Sequence, residues 1–171
     1  MSEASICLEC GLCCNGVIFA DVELQPIEVH NLKSKVQISA IRAKNGQPGV
    51  AKLPQPCAAF DGCRCRIYAE RPIYCRQFEC LLLKNVQGGR IGRGEALRII
   101  GTAKERAEKV RALLRELGDT DEQKALSLRF QCAAKRYEKA PLAHAKADTY
   151  ADLTLAVHEL NLLIRDAFYP G

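Results

Sequence analysis

The sequence predicts an α-rich α+β protein: a small, loop-rich cysteine domain held by metal and packed against about three C-terminal helices. Two observations predict it. Nine of the ten cysteines fall in two short segments, four between Cys7 and Cys14 and five between Cys57 and Cys80. From about Glu95 the character changes, and apolar residues recur at three- and four-residue steps. Residues 1–94 are therefore read as a metal-binding cysteine region and 95–171 as a helical region, together forming one structural unit. A hydrophobic fraction of 48% makes a packed core available to the 171 residues.

The first element is Cys7, Cys10, Cys13 and Cys14, a C-x2-C-x2-C-C cluster with Gly11 and Gly16 at its bends. Val17 to Ala20 reads as a short strand. Pro26 suits the first turn of a helix running to about Lys35, with Ile27, Val29 and Leu32 apolar. Val36 to Ala43 is consistent with strand or helix, and Asn45-Gly46 and Pro48-Gly49 mark turns. Pro54 and Pro56 lead into the second cysteine segment, which is too polar and too interrupted to be held by apolar burial. Leu81 to Leu83 is an apolar run expected beneath the metal sites, and Gly88 to Gly94 is a hinge or hairpin loop. That loop is not a dinucleotide fingerprint and lacks the Lys-Ser/Thr of a phosphate loop.

The helical half opens with Leu97, Ile100, Ala103, Ala107, Val110, Leu114 and Leu117 on one face, and Gly118 is its stop. Lys104 to Arg115 alternates charge as a solvated face, with Glu105–Lys109 and Glu108–Arg111 as pairs. Thr120 with Gln123 reads as a capping box for a second helix ending near Lys139. On it Ala125, Leu128 and Cys132 share a face, and Cys132 is expected to be a small buried hydrophobe. After Pro141 a third helix runs from Ala143 or Asp148 to Phe168, burying Leu153, Val157, Leu160, Ile164 and Ala167.

Charge and compartment narrow the chemistry. Residues 1–94 carry 12 Lys and Arg against 8 Asp and Glu, whereas the remainder carries 13 against 12. The positive excess thus lies with the cysteines, where it either offsets thiolate charge or is ordinary surface basicity. Basic residues are not interleaved with aromatics, so no nucleic-acid partner is expected. The sequence from Met1 to Cys7 has no basic or apolar leader, and no apolar run reaches membrane-span length. A cytoplasmic location with no membrane partner is expected, and there clustered cysteines point to metal or redox chemistry rather than disulfides. A protein partner is expected on the C-terminal helices.

A C-x2-C pair places two thiolates for one ion, and three in register are common in iron–sulfur ligation and compatible with zinc. Cys13 and Cys14 are adjacent, so they point more naturally at different metals, or one ligates while the other caps, which suggests two metals or a cluster of several irons. The second segment spaces Cys57, Cys65, Cys75 and Cys80 widely and contains no C-x2-C, which disfavours a four-cysteine zinc ribbon. Arg71 and Arg76 bracket Cys75; they either stabilise coordinated sulfur or sit solvated and paired with Glu70 and Glu79. Pro72 stiffens the approach to Cys75, while Tyr68 and Phe78 either shield the site or pack a core. His30, His144 and His158 are scattered, and no acid–base pair or nucleophile set is visible, so enzyme status is left open.

The Cys7–Cys14 cluster, then Cys57, Cys65-Arg-Ile-Tyr68, Arg71-Pro72 and Cys75-Arg76-Gln-Phe78-Glu-Cys80, resembles the bacterial CxxCxxCC cysteine-cluster family. That family is described as zinc- or iron-chelating, and a related domain occurs in flagellin lysine N-methylases. The resemblance covers residues 6–84 and implies eight metal ligands: Cys7, Cys10, Cys13, Cys14, Cys57, Cys65, Cys75 and Cys80. Cys63 and Cys132 depart from the pattern, and Cys63 competes with Cys65 for one position. No S-adenosylmethionine signature is visible, so methylase activity does not carry over. The expected cofactor is an iron–sulfur cluster or iron, with zinc as the alternative. The expected role is redox, electron transfer or assistance to a modification reaction; the alternative is a zinc-stabilised interaction module.

Overall fold

In the computed structural model the described residues are 5–32, 35, 39–40, 49–62, 64–139 and 144–169. The described part is α-rich with one small sheet, as the sequence predicts. It divides into two compact units. One holds the described residues of segments 1–10, 79–122 and 126–171; the other holds those of 11–78 and 123–125. The described residues change unit between Phe78 and Glu79, and Ser5–Cys10 falls in the same unit as the C-terminal helices.

The helical unit is built on α5 (Arg93–Glu116) and α7 (His144–Ala167), with α1 (Ser5–Cys10), α4 (Leu81–Gln87) and α6 (Leu126–Lys139) packed on α5. The buried stripe of α5 is Ala96, Ile100, Ala103, Ala107, Val110 and Leu114. Its three alanines leave room for larger residues of α7, where Leu153, Ala156, Leu160, Ile164 and Phe168 are buried. Val157 and Ala167, expected in the core of α7, are half-buried instead, and their neighbours Ala156 and Phe168 are buried in their place. α5 ends as predicted. Gly118 turns at φ +82°, and the N–H groups of Gly118 and Asp119 donate to the Arg115 and Leu114 carbonyls at 2.9 Å each. Tyr137 Oη donates to the Leu117 carbonyl at 3.0 Å, satisfying another helix-end acceptor.

Two expectations for α6 are corrected. It starts at Leu126, not at a Thr120–Gln123 capping box, since residues 123–125 are drawn against the turn at Gly16. Its inward face is Leu126, Arg129 and Ala133, while Cys132 and Leu128 are exposed. The cause is a buried ion pair: Arg129 Nε donates to Asp119 Oδ2 at 2.6 Å, the side chains being 2% and 6% exposed. Desolvated charges must meet, so the pair rather than the apolar pattern sets the rotation of α6. On α5, Glu108 pairs with Arg111 at 3.6 Å as expected, but Lys109 faces Glu159 of α7 at 3.9 Å.

The second unit contains a three-stranded antiparallel sheet ordered β1 (Asp21–Glu23), β3 (Ala51–Pro54), β2 (Ser39–Ala40). Val22 lies opposite Leu53 and Ala40 opposite Ala51. The strand expected at residues 17–20 falls instead at 21–23. Upstream the chain is still closing a loop, with the Ile18 N–H donating to the Leu12 carbonyl at 3.1 Å. α2 runs Pro26–Leu32 with Pro26 at its first position, and Glu28 Oε2 accepts from the Gln25 N–H at 2.8 Å. Within residues 36–43 only Ser39–Ala40 is described. The turns at Asn45-Gly46 and Pro48, together with Cys63, Pro141 and the Ala143 helix start, lie outside the described residues.

Gly16 tests this packing. At φ +77° an added Cβ would stand 3.0 Å from the Ala125 Cα and 3.3 Å from Pro56. Gly16→Ala is expected to destabilise the fold by about 2 kcal/mol or more, combining left-handed strain with a clash against backbone. Gly62, at φ +94° with open space around it, isolates the strain alone. Gly62→Ala should cost about 1 kcal/mol, and urea unfolding of the two variants checks the difference.

Among the described residues, no helix is long and apolar enough to cross a membrane.

Candidate metal centre

The second unit gathers its thiols by backbone bonds rather than by a large core. Gly11, at φ +69°, presents a carbonyl that accepts from the Cys14 and Asn15 N–H groups at 2.9 and 3.0 Å. The Cys57 N–H then donates to the Cys14 carbonyl at 2.8 Å, tying the two cysteine segments together. From Cys57 the chain makes a short hairpin. Arg66 N–H donates to the Ala59 carbonyl at 2.8 Å, Asp61 Oδ1 accepts from the Arg64 N–H at 2.6 Å, and Phe60 bridges to Cys65. The seven residues separating Cys57 from Cys65 are thus the length of a turn that returns the second thiol towards the first.

Cys75 arrives on α3 (Ile73–Gln77), after a single 3-10 turn at Tyr68–Glu70 and the buried Pro72. Glu28 Oε1 accepts from the Ile73 N–H at 2.6 Å, so one carboxylate holds the first turns of both α2 and α3. Sequence reasoning missed Glu28. The signal was present as a glutamate two residues after a helix-opening proline, the position that reaches back to the N-cap.

The buried cluster under this region is small: Leu24, Leu32, Leu53, Cys57 and Ala59, with Cys14, Phe60, Cys65 and Ile67 among the half-buried residues packed on it. Three of its members are thus candidate ligands.

Burial pushes the Cys57 thiol up, while the backbone N–H groups of Ala59 and Phe60 nearby oppose the rise; the Phe60 N–H itself donates to the Cys57 carbonyl at 2.9 Å. Cys75 is pushed up to about 11, first by burial, then by Cys57 and Cys65, with Arg71 opposing. Cys75 therefore feels the charge of Cys57 and Cys65, and Cys57 that of Cys65, which is the repulsion that a cation relieves.

In the helical unit Cys7 and Cys10 lie one turn apart on α1, Cys7 exposed and Cys10 half-buried. α1 is tied to α5 by an Arg93–Glu9 ion pair and by Lys104 Nζ, which donates to the Glu9 carbonyl at 2.7 Å. Cys80 is the N-cap of α4; its sulfur accepts from the Leu83 N–H at 3.4 Å, and burial raises its pKa against that bond. Leu82 and Leu83, the predicted apolar run, are buried as the first turn of α4. Cys13 is half-buried in the turn after Gly11.

Donor chemistry matches a thiophilic metal. Sulfurs are soft ligands, several are half-buried, and the Cys80 sulfur already receives a backbone N–H. Cys57, Cys65, Cys75, Cys80 and Cys132 are thiols. Among the described residues no three Cys, His, Asp or Glu side chains form a finished cage. The fit is thus in the donors and their mutual approach, not in completed coordination geometry.

Residues 6–90 match the model of a family whose description is "CxxCxxCC: Putative zinc- or iron-chelating domain". The chain carries a CxxCxxCC domain. Its match extends through α4, whereas α5, α6 and α7 lie beyond it. Zinc or iron chelation is the property that the description attaches to the CxxCxxCC domain. No curated protein and no solved structure matches the chain.

Arg71 and Arg76, expected beside the sulfur, differ from each other. Arg71 lies 3.7 Å over the Tyr68 ring, donates from Nε to the Tyr68 carbonyl at 3.0 Å, and lowers the Cys75 pKa. Arg76 is exposed and is not among the principal influences on that thiol. Glu70 pairs with Lys35 rather than with either arginine. Phe78 packs edge-on against Phe19 with ring centroids 4.9 Å apart, both residues being half-buried in the second unit. His30 and His158 are exposed.

Proposed function

We propose that this protein binds iron as an iron–sulfur cluster through the thiolates of Cys7, Cys10, Cys13, Cys14, Cys57, Cys65, Cys75 and Cys80, and serves a redox or modification-accessory role. The observation that carries it is the convergence of Cys57, Cys65 and Cys75 into mutual electrostatic range around a small core. A bound cluster would supply one-electron transfer, and zinc in the same thiolates would supply a structural cross-link. The chain's own part is to hold soft donors half-buried, aim an N–H group at Cys80, and place Arg71 near Cys75. The second reading, a zinc-stabilised module that binds a protein through its helices, is favoured by exposed apolar Leu155 on α7 and Leu128 on α6.

Anaerobic purification followed by visible absorption and assay of iron, sulfide and zinc separates the two. Iron with matching sulfide and a brown colour supports the first reading. A colourless protein with stoichiometric zinc overturns it and supports the second.

The raised thiols set a pH dependence. Cys57 and Cys75 carry protons in the metal-free chain at neutral pH, so loading expels them and metal affinity falls as pH drops. Without metal, a thiol raised from 9.0 to about 11 favours the folded state while protonated. That contribution is present below the unfolded value and lost as pH rises through the folded one. The metal-free protein is expected to lose stability between those two pH values, and the loaded protein to lose metal on acidification. Thermal unfolding and metal retention across pH measure both.

A further inference from the structure

An open cavity of about 530 Å³ lies in the second unit between α2 and the segment from Glu70 to Arg76. Its size falls in the roughly 300–1,000 Å³ range of small-molecule sites. Its charged lining is Lys35, Arg71 and Arg76 against Glu28 and Glu70. The acids are already engaged: Glu70 with Lys35, and Glu28 with the Gln25 and Ile73 N–H groups. The two guanidiniums are not matched by acids. Arg71 uses Nε on a carbonyl and has no carboxylate partner among the described residues, and Arg76 has no side-chain partner there. Ile27, 70% exposed, and Ile73 supply apolar surface to the same cavity, and Asn31 adds a neutral amide.

We propose that this cavity binds a small organic oxyanion, its carboxylate or phosphate held by Arg71 and Arg76 and its apolar body laid on Ile27 and Ile73. Guanidinium forks match both headgroups, and an apolar wall beside them selects an organic anion over a bare inorganic one. The site goes beyond metal binding and does not require it, although Cys75 lies on the helix that ends in Arg76.

Calorimetric titration of the full chain with phenyl phosphate, benzoate, inorganic phosphate and benzylamine tests this. One of the two aromatic anions should bind at a single site, with inorganic phosphate roughly tenfold weaker or more and benzylamine not binding. Stronger phenyl phosphate identifies a phosphate monoester, and stronger benzoate a carboxylate; either supports the site. Arg76→Gln, at an exposed position, should weaken the aromatic anion roughly tenfold while leaving circular dichroism and metal content unchanged. Ile27→Asn should weaken the aromatic anion but not inorganic phosphate. Absence of binding by both aromatic anions, equal binding of inorganic phosphate or benzylamine, or an unchanged affinity in Arg76→Gln overturns the proposal. Metal content, assayed on the same samples, is a separate readout, so failure here leaves the proposed function untouched.

Discussion

Replacing Cys75 with serine is expected to strip metal from the protein and loosen the second unit. Cys75 is half-buried on α3, between the Glu28 anchor at Ile73 and the Phe78–Phe19 contact, and it is coupled to Cys57 and Cys65. A residue that merely orients a ligand contributes about 10–100-fold to metal affinity, so removal of a ligand itself should exceed that. Because site and fold form together, the lost affinity appears as lost stability. Metal assay and thermal unfolding of Cys75→Ser measure the two consequences. Cys132→Ser is the matched control: its thiol is exposed on α6, and its substitution should change neither. Metal content in Cys75→Ser equal to that of the parent would remove Cys75 from the ligand set.

Asp119→Ala is expected to be the most damaging single change in the helical unit. It would leave the Arg129 guanidinium 2% exposed with no carboxylate, and Arg129 Nη2 already lacks a hydrogen-bond partner among the described residues. Breaking one side of a buried pair costs about 3–5 kcal/mol, because the remaining charge stays desolvated. The pair is not thereby a large net stabiliser. Asp119→Leu combined with Arg129→Leu should recover most of the loss, since both charges leave the interior together. Urea unfolding of the single and double variants gives the coupling directly. A double variant as unstable as Asp119→Ala would show that shape, rather than charge, holds α6 in place.

α5 shows what a local pattern can settle. Ile100, Ala103, Ala107, Val110 and Leu114 were legible because burial along a long helix repeats every three to four residues, and Gly118 because only glycine turns easily at φ +82°. α6 shows where the same rule fails. Its pattern offered two neighbouring stripes, one through Leu128 and Cys132 and one through Leu126 and Ala133. The choice between them came from Asp119, a residue placed by the turn that ends the preceding helix. The strand misplaced by a few residues has a similar cause, since pairing began only where β3 lay alongside.

The sequence alone determined the ingredients: an α-rich chain, a helical C-terminal half and thiols clustered in a CxxCxxCC domain. These are properties of composition, spacing and short-range period, which survive without knowledge of any partner. Tertiary structure decided which thiols approach one another, which face of α6 turns inward, and that Arg71 and Arg76 line a common cavity. Each of those depends on segments distant along the chain meeting through a backbone bond or a buried charge, and no local pattern encodes such meetings.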